Sequence, residues 1–452
     1  MSDAIHELYQ KQVYPPMSHP LSDPAVSAVA AKMGGLEVPH PRRARILEIG
    51  CCSGHNLIPL ARRWPKSQFI GIDLAERSIA EARARTVAVG LGNIDFQAVD
   101  LMNFEPTDGP FDFIIVHGFF SWVPDEVKAT LLLFCRKYLS PAGIATISFN
   151  LECGWKPRLP VIAKVRAIQQ AGGGDEMSAL EILKMITDPS DPASAIIEDM
   201  LARGPSILAF DDFSPVNDPW PLDRFVKAAG NAGLRWLGES DPAGNIPSEL
   251  SDEFLLELRN QVQDPLGFQS EVDEALGRTF RSGVLCRHDA PVEGRVSLEK
   301  MLDFSLRGGA SPVDSAAKEI FQVVRGFAPA SISAEKLLAL LPDHEPRSVV
   351  KLIFDGITRG WLRPRIEPVS YHDAPPDFPC LDAFRLLCAR ENLPLVDAWH
   401  QPCAFPAAHY QVLAAMEGRL SLRELAEFAK LRCPDLDFEP WIAHLAERGL
   451  FS

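Results

Sequence analysis

The sequence predicts an α/β protein: a doubly wound sheet, a helical insertion within it, and smaller α+β modules behind it. Three observations carry that prediction. From Ala44 to Asn150, apolar runs alternate with amphipathic helical stretches, the pattern of a parallel sheet with right-handed crossovers. The first run, Arg45-Ile-Leu-Glu-Ile-Gly-Cys-Cys-Ser-Gly-His-Asn56, breaks into a turn bearing Gly50 and Gly54, with a helix directly after it. Far downstream, Leu234 to Glu239 and Ser282 to Arg287 are short β-like runs that would complete the sheet as an antiparallel pair.

Residues 1–43 read as an N-terminal arm. Its Tyr14-Pro-Pro-Met-Ser-His-Pro20 stretch is too rich in proline for a continuous helix. A helix from about Asp23 to Met33 is expected to pack on the core that follows.

In the first loop, glycines are needed because the backbone must turn sharply and admit a ligand where a Cβ would stand. The pattern is not that of a dinucleotide site, since Glu48 precedes G-x-x-x-G rather than G-x-G-x-x-G. It is not a phosphate-cradling loop either, because no Lys-Ser or Lys-Thr pair follows Gly54. The second strand, Gln68 to Asp73, ends in an acid where a carboxylate accepts hydrogen bonds from ribose hydroxyls. The third, Ile94 to Val99, is followed by Asp100.

The fourth strand, Phe111 to Val116, opens into His117-Gly-Phe-Phe-Ser-Trp-Val-Pro124. Pro124 is expected in the first turn of a helix reaching about Leu139, with a turn at Ser140-Pro-Ala-Gly143 behind it. The fifth strand, Ile144 to Phe149, ends in Asn150, with Trp155 shortly beyond. Ligands of such sheets lie past the carboxyl ends of the strands, where Glu48, Asp73, Asp100 and His117 all fall.

Residues 157–294 read as a helical insertion punctuated by Pro247 and Pro265, together with the last two strands. Its helices either cover the site past the strand ends or make a dimer contact. Residues 295–370 and 371–452 contain a degenerate repeat that closes on Arg359-Gly-Trp-Leu362 in one copy and Arg448-Gly-Leu-Phe451 in the other. Each copy looks like a winged helix. Neither has a dense basic recognition helix, so protein docking or support of a homodimer is the preferred use.

Composition narrows the partners. The chain has 452 residues, 46% of them hydrophobic, enough for a large core and about three domains. With 60 acidic against 45 basic residues, the net charge of −15 disfavours nucleic acid as a partner and suits a cationic one, such as a lysine-bearing protein or peptide. No apolar run approaches the roughly 18 residues of a membrane span, and the start MSDAIHELYQKQ is no signal peptide, so stable membrane insertion is not expected and the cytoplasm is. The nine cysteines show no C-x-x-C pair or metal-ligand spacing. They read as reduced, mostly buried thiols.

With these residues in view, the chain resembles the class I S-adenosylmethionine-dependent methyltransferases. The resemblance implies a seven-stranded Rossmann-like methyltransferase sheet, with the cofactor-binding core at 44–156. It places Gly50 and Gly54 against the methionine part, Asp73 on the ribose and Asp100 at the adenine edge. Glu48, Cys51, Asn56, Leu74, Leu101 and His117 complete the expected cofactor set. The segments His117 to Pro124, Ser148-Phe-Asn150 with Gly154-Trp155, and Gly233 to Pro242 are similar to bacterial methyltransferases carrying a regulatory domain. That group includes the rickettsial protein-lysine methyltransferases of outer-membrane proteins. The chain departs from it at Phe149, where a tyrosine is usual, at Cys153, where a proline is usual, and at Asp211-Asp-Phe213, a region that usually holds a histidine.

The expected acceptor-site residues are His117, Ser121, Trp122, Asn150 and Trp155, with Tyr14 and His19 as a lid from the arm. The indole rings suit stacking on a cationic amine. Two catalytic readings stand: methylation of protein lysine, or of a small metabolite or natural-product peptide, which the changes at Phe149 and Cys153 favour. A third keeps cofactor binding but makes the chain a non-catalytic scaffold, and the intact Glu48, Gly50, Gly54 and Asp73 argue against it.

Overall fold

The computed structural model describes residues 14–245, 249–294, 297–312, 315–369 and 374–452. Residues 1–13 of the expected arm, Pro247, and the expected module boundaries at 295 and 370–371 lie outside the described residues.

Seven strands form one sheet: β1 (Arg45–Ile49), β2 (Gln68–Asp73), β3 (Ile94–Ala98), β4 (Phe111–Val116), β5 (Leu139–Asn150), β6 (Leu234–Glu239) and β7 (Phe280–Arg287). Their order is β3-β2-β1-β4-β5-β7-β6. The first five run parallel, and β7 returns antiparallel between β5 and β6. The order reverses at β1, so the ends of β1 and β4 open the crevice in which such sheets bind ligands. β1 and β4 are buried on both faces, which is why they read as continuous apolar runs rather than alternating ones.

The arm's helix α1 (Pro24–Met33) starts at Asp23, whose carboxylate caps it by accepting the Ala25 N–H. Asp23 is fully buried and ion-paired to Arg63 and Arg365, tying the arm to both the sheet domain and the segment after it. Helices α2 (Leu57–Arg63), α3 (Glu76–Val89) and α4 (Asp125–Tyr138) follow β1, β2 and β4. After β3 there is only one turn of 3-10 helix, Leu101–Asn103.

Two local expectations are corrected. Pro124 stands at the N-cap of α4 with ψ 158°, outside the first turn. The turn expected at Ser140–Gly143 is absorbed into β5: Leu139 pairs with Phe111, Ser140 bonds the Asp112 carboxylate at 2.8 Å, and the register slips between Phe111 and Phe113 to take up the extra residues.

The insertion comprises α5 (Leu159–Gln170), α6 (Glu176–Ile186), α7 (Pro192–Arg203), α8 (Pro205–Phe210), α9 (Leu222–Asn231), β6, α10 (Asp252–Gln261) and α11 (Pro265–Leu276). Helices α5 to α8 bury their own small core around Val165, Leu180, Met200 and Leu208. α9 packs on the sheet through Phe225, which stacks on Phe149 of β5 at 4.1 Å between ring centroids. Arg281 of β7, 1% exposed, bonds both Asp273 of α11 and Glu239 of β6, so one buried guanidinium joins three elements.

The next module is a three-stranded antiparallel sheet, Leu362–Arg365, Ser305–Gly308 and Ile332–Ser333, with helices Ser315–Arg325, Ala334–Ala339 and Pro346–Thr358. The last module is mostly helical: Ala383–Glu391, Ala407–Ala414, Leu422–Arg432 and Phe438–Glu447. Among the described residues its named strands are the two-residue pair Leu395–Val396 and Pro402–Cys403. The two copies of the repeat therefore share a closing helix and a left-handed glycine, Gly360 at φ +76° and Gly449 at φ +62°, rather than a common sheet. Among the described residues, no helix is long and apolar enough to cross a membrane.

A candidate cofactor cleft

Past the carboxyl ends of β1, β2 and β4 lies a cleft of about 1340 Å³, its open mouth included. Its floor is the first loop. Gly50 and Gly54 take φ +77° and +74°, and Cys52 between them takes φ +49°. The loop is held from below: the Gly50 and Cys51 N–H groups donate to the Ile72 carbonyl at 2.8 and 3.1 Å. From the side, the Cys52 N–H donates to Asp73 Oδ2 at 2.9 Å. A Cβ on Gly50 would stand 3.1 Å from the Phe119 ring, so glycine leaves the floor open. A Cβ on Gly54 would meet Phe96 at 2.6 Å, so that glycine serves packing and does not line the cleft.

The carboxylates are placed unequally. Glu48 is 3% exposed; its Oε1 accepts from the Asn56 amide at 2.6 Å while Oε2 has no partner. Burial lifts its pKa to about 8, with the nearby Asp73 charge adding to the lift. Asp73 also sits above its ordinary value through burial, offset in part by the N–H groups of Ala75, Cys52 and Leu74. Asp100 caps the turn after β3 by accepting the Met102 N–H.

At the other wall, His117 and His19 stack with ring centroids 3.7 Å apart. Burial drives the pKa of His19 down to about 4 and that of His117 well below its ordinary value, the His19 ring adding to the latter. Both imidazoles are therefore neutral at physiological pH. His117 Nδ1 has no partner. Tyr14 closes the rim edge-on to Phe210 of α8, so the arm and the insertion meet over the cleft. The Cys51 and Cys52 thiols are pushed far up by burial and by Asp73, which leaves them as packing groups.

Two stretches of the chain match family models: residues 46–143 match a methyltransferase domain and residues 204–287 a predicted methyltransferase regulatory domain. The chain carries a methyltransferase domain followed by a predicted methyltransferase regulatory domain. The fold is that of PKMT2 from Rickettsia typhi, solved in complex with AdoHcy, at a TM-score of 0.84 and 18% identity over 97% of this chain and 99% of that one. Uncharacterized protein RP789 of Rickettsia prowazekii is 25% identical over 67% of this chain and 57% of its own length. The trans-aconitate 2-methyltransferase of Variovorax paradoxus is 33% identical over 24% of this chain and 40% of its own. The chain thus spans less than two thirds of the curated relatives it matches.

The cofactor of this domain is S-adenosylmethionine, and the residues present fit it. The unpartnered Glu48 Oε2 suits an ammonium group, the Gly50 floor leaves room for the ligand's backbone approach, and Asp73 retains lone pairs for ribose hydroxyls. Of the expected cofactor residues, Glu48, Gly50, Cys51, Asn56, Asp73, Leu74, Asp100, Leu101 and His117 line the cleft.

The expected acceptor residues divide. His117, Trp122, Tyr14 and His19 line the cleft. Ser121, Asn150 and Trp155 do not, because covering by the insertion turns them into ties between loops. Ser121 Oγ accepts the Asn150 N–H at 2.8 Å, Asn150 bonds Asn217, and the Trp155 indole donates to the Thr279 carbonyl at 3.0 Å. Trp155 still stands edge-on to Trp122 and backs it.

Phe149 is 1% exposed inside an aromatic cluster with Phe120 and Phe225, so its lost phenol bears on packing and not on the acceptor. Phe149→Tyr is expected to lower stability by about 1–3 kcal/mol, the cost of burying an unpaired hydroxyl, as read by urea denaturation.

Sequence reasoning missed Phe119, which covers Gly50, and two histidines of the loop's support. His55 Nε2 donates to the Pro394 carbonyl at 2.8 Å, and His400 Nε2 donates to Asn56 Oδ1 at 2.8 Å. Phe119 was within reach, two residues past His117. The histidine contacts were not, because each spans more than 300 residues of chain.

Proposed function

We propose that the protein transfers methyl groups from S-adenosylmethionine to lysine ε-amines of a protein or peptide substrate. The observation that carries this is the charge of the cleft. Among the described residues, those lining it include the acids Asp73 and Asp100, joined by Glu48 as pH rises through about 8, and no lysine or arginine. An anionic acceptor such as a tricarboxylic acid finds no cation to hold it there, whereas an amine enters a favourable field, as the net charge of −15 also favours.

The bound cofactor supplies a methyl group on a sulfonium. This chain's residues hold the nucleophile in line and keep it neutral. A lysine amine is protonated at its ordinary pKa of about 10.4, and the apolar and aromatic wall of Pro15, Pro16, Phe119 and Trp122 disfavours that charge by desolvation. His117, neutral and with a free Nδ1, is placed to accept a hydrogen bond from the amine and turn its lone pair to the methyl group. Tyr14 and His19 line the arm side of the cleft.

Incubation with labelled S-adenosylmethionine and host-cell extract, followed by mass spectrometry, tests the reading. Label on protein lysine supports it, and label confined to small molecules rejects it. His117→Ala is expected to lower kcat by about 10–100-fold while cofactor affinity by calorimetry stays within about twofold, the split expected of a positioning group. The pH profile of kcat/KM should climb through the alkaline range with the amine and show no break near the ordinary histidine value of about 6.5. The sign follows from the lowered pKa values: His19, at about 4, is already neutral on both sides of that point, and His117 lies well below its ordinary value.

A further inference from the structure

A second cleft, about 1110 Å³ with its mouth, lies on the far side of α2. The C-terminal end of α2 forms one wall, the stretch following Arg365 another, and the last module the third. Five guanidinium groups line it: Arg42, Arg62, Arg63, Arg365 and Arg385.

Their counter-ions are too few. Arg63 and Arg365 share Asp23 Oδ2 at 2.7 and 3.0 Å. Arg62 and Arg385 share Asp382 Oδ2 at 3.3 and 3.2 Å. Arg42 pairs with Glu367, whose other oxygen is taken by the Trp64 indole. Asp397, also in the wall, is engaged by Arg448 from outside the cleft. Five cations thus share three carboxylates.

Arg365 adds an independent observation. It is 2% exposed, yet its Nε and Nη1 have no hydrogen-bond partner. Buried guanidinium donors left unmade are costly, and Arg365 is among the residues that line the cleft. In a chain of net charge −15, a pocket with surplus arginine is not a general feature of the surface. Planar guanidinium forks match the oxygens of phosphate and carboxylate groups, which lysine clusters do less well.

We propose that this cleft binds a small multivalent oxyanion, a phosphate ester or a polycarboxylate, with Arg365 at its floor and Arg62 and Arg42 at its rim. Such a ligand would clamp α2, whose first turn adjoins the cofactor loop, to the last module. The site is separate from the cofactor cleft and does not depend on which acceptor is methylated.

Titration calorimetry on the full chain, saturated with S-adenosylhomocysteine, tests it with inorganic phosphate, pyrophosphate and citrate as probes. We expect one-to-one binding of at least one probe, weakening as salt is added. Binding by the two phosphates alone assigns a phosphate ester, and by citrate alone a polycarboxylate. The double variant R42A/R62A, whose replaced side chains are 61% and 40% exposed, should bind about tenfold or more weakly while its circular-dichroism spectrum matches that of the parent. Absence of heat from all three probes overturns the proposal, as does unchanged affinity in the double variant.

Discussion

Replacing Gly50 with arginine is expected to abolish cofactor binding while leaving the sheet intact. The position takes φ +77°, which an L-residue adopts at a cost of roughly 1–2 kcal/mol. Its Cβ would press on the Phe119 ring at 3.1 Å, and the rest of the side chain would lie in the space between Glu48 and Asp73. The strand is not at risk, because β1 ends at Ile49 and the Gly50 N–H keeps its bond to the Ile72 carbonyl. Filling the floor of a pocket removes most of the ligand's contacts at once, so affinity should fall by about 100-fold or more. Calorimetry with S-adenosylhomocysteine, beside a circular-dichroism spectrum, checks both halves. A normal isotherm from a folded variant would sink the assignment of this loop.

What the sequence made legible was local. Strands β1, β2 and β4, the two loop glycines and the acids at the strand ends were readable because each is specified within a few residues. A buried parallel strand is apolar throughout, and this turn needs glycine where a Cβ would press on the Phe119 or Phe96 ring. The pair β6 and β7 was readable as β-like runs despite 40 residues between them, and the antiparallel return closes the sheet where those runs predict it.

What failed was the side of the loop on which a residue would face. Ser121, Asn150 and Trp155 stand at strand ends as the cleft residues do. Their fate was decided by the insertion, which places Asn217, Asp218 and Trp220 over that end of the sheet. The Asp218 N–H bonds the Ser121 carbonyl, and its carboxylate pairs with the buried Lys128 of α4. No local pattern announces such a cover. The last module is a stronger case: it shares one continuous apolar core with the outer face of the sheet, and nothing in its sequence says what it packs against.

That packing leads to the second large effect, at His400. This residue is fully buried, takes φ +64°, and reaches from the last module to Asn56. Asn56 stands at the centre of a chain of bonds: its Oδ1 accepts from the His19 N–H and from His400, and its amide nitrogen donates to Glu48 and to Ser22. With both lone pairs of Oδ1 engaged, the amide cannot turn over, and Glu48 keeps its one donor. That donor is also what restrains the pKa of Glu48, which burial otherwise raises to about 8.

His400→Leu leaves Asn56 short of a partner in a buried network, a loss of about 1–3 kcal/mol. Cofactor affinity should fall by about 5–100-fold, and the pH at which the cofactor binds should move upward, because Glu48 held less well stays protonated to higher pH. The sign is fixed: an acid whose folded pKa is raised loses its proton, and gains its pull on an ammonium, only as pH rises through that value. His400→Gln offers a replacement N–H and should restore the pH midpoint even where the left-handed backbone makes it less stable. A general loss of folding would lower the melting temperature without moving that midpoint. An unmoved midpoint in the leucine variant would show that the last module packs beside the cofactor loop without governing it.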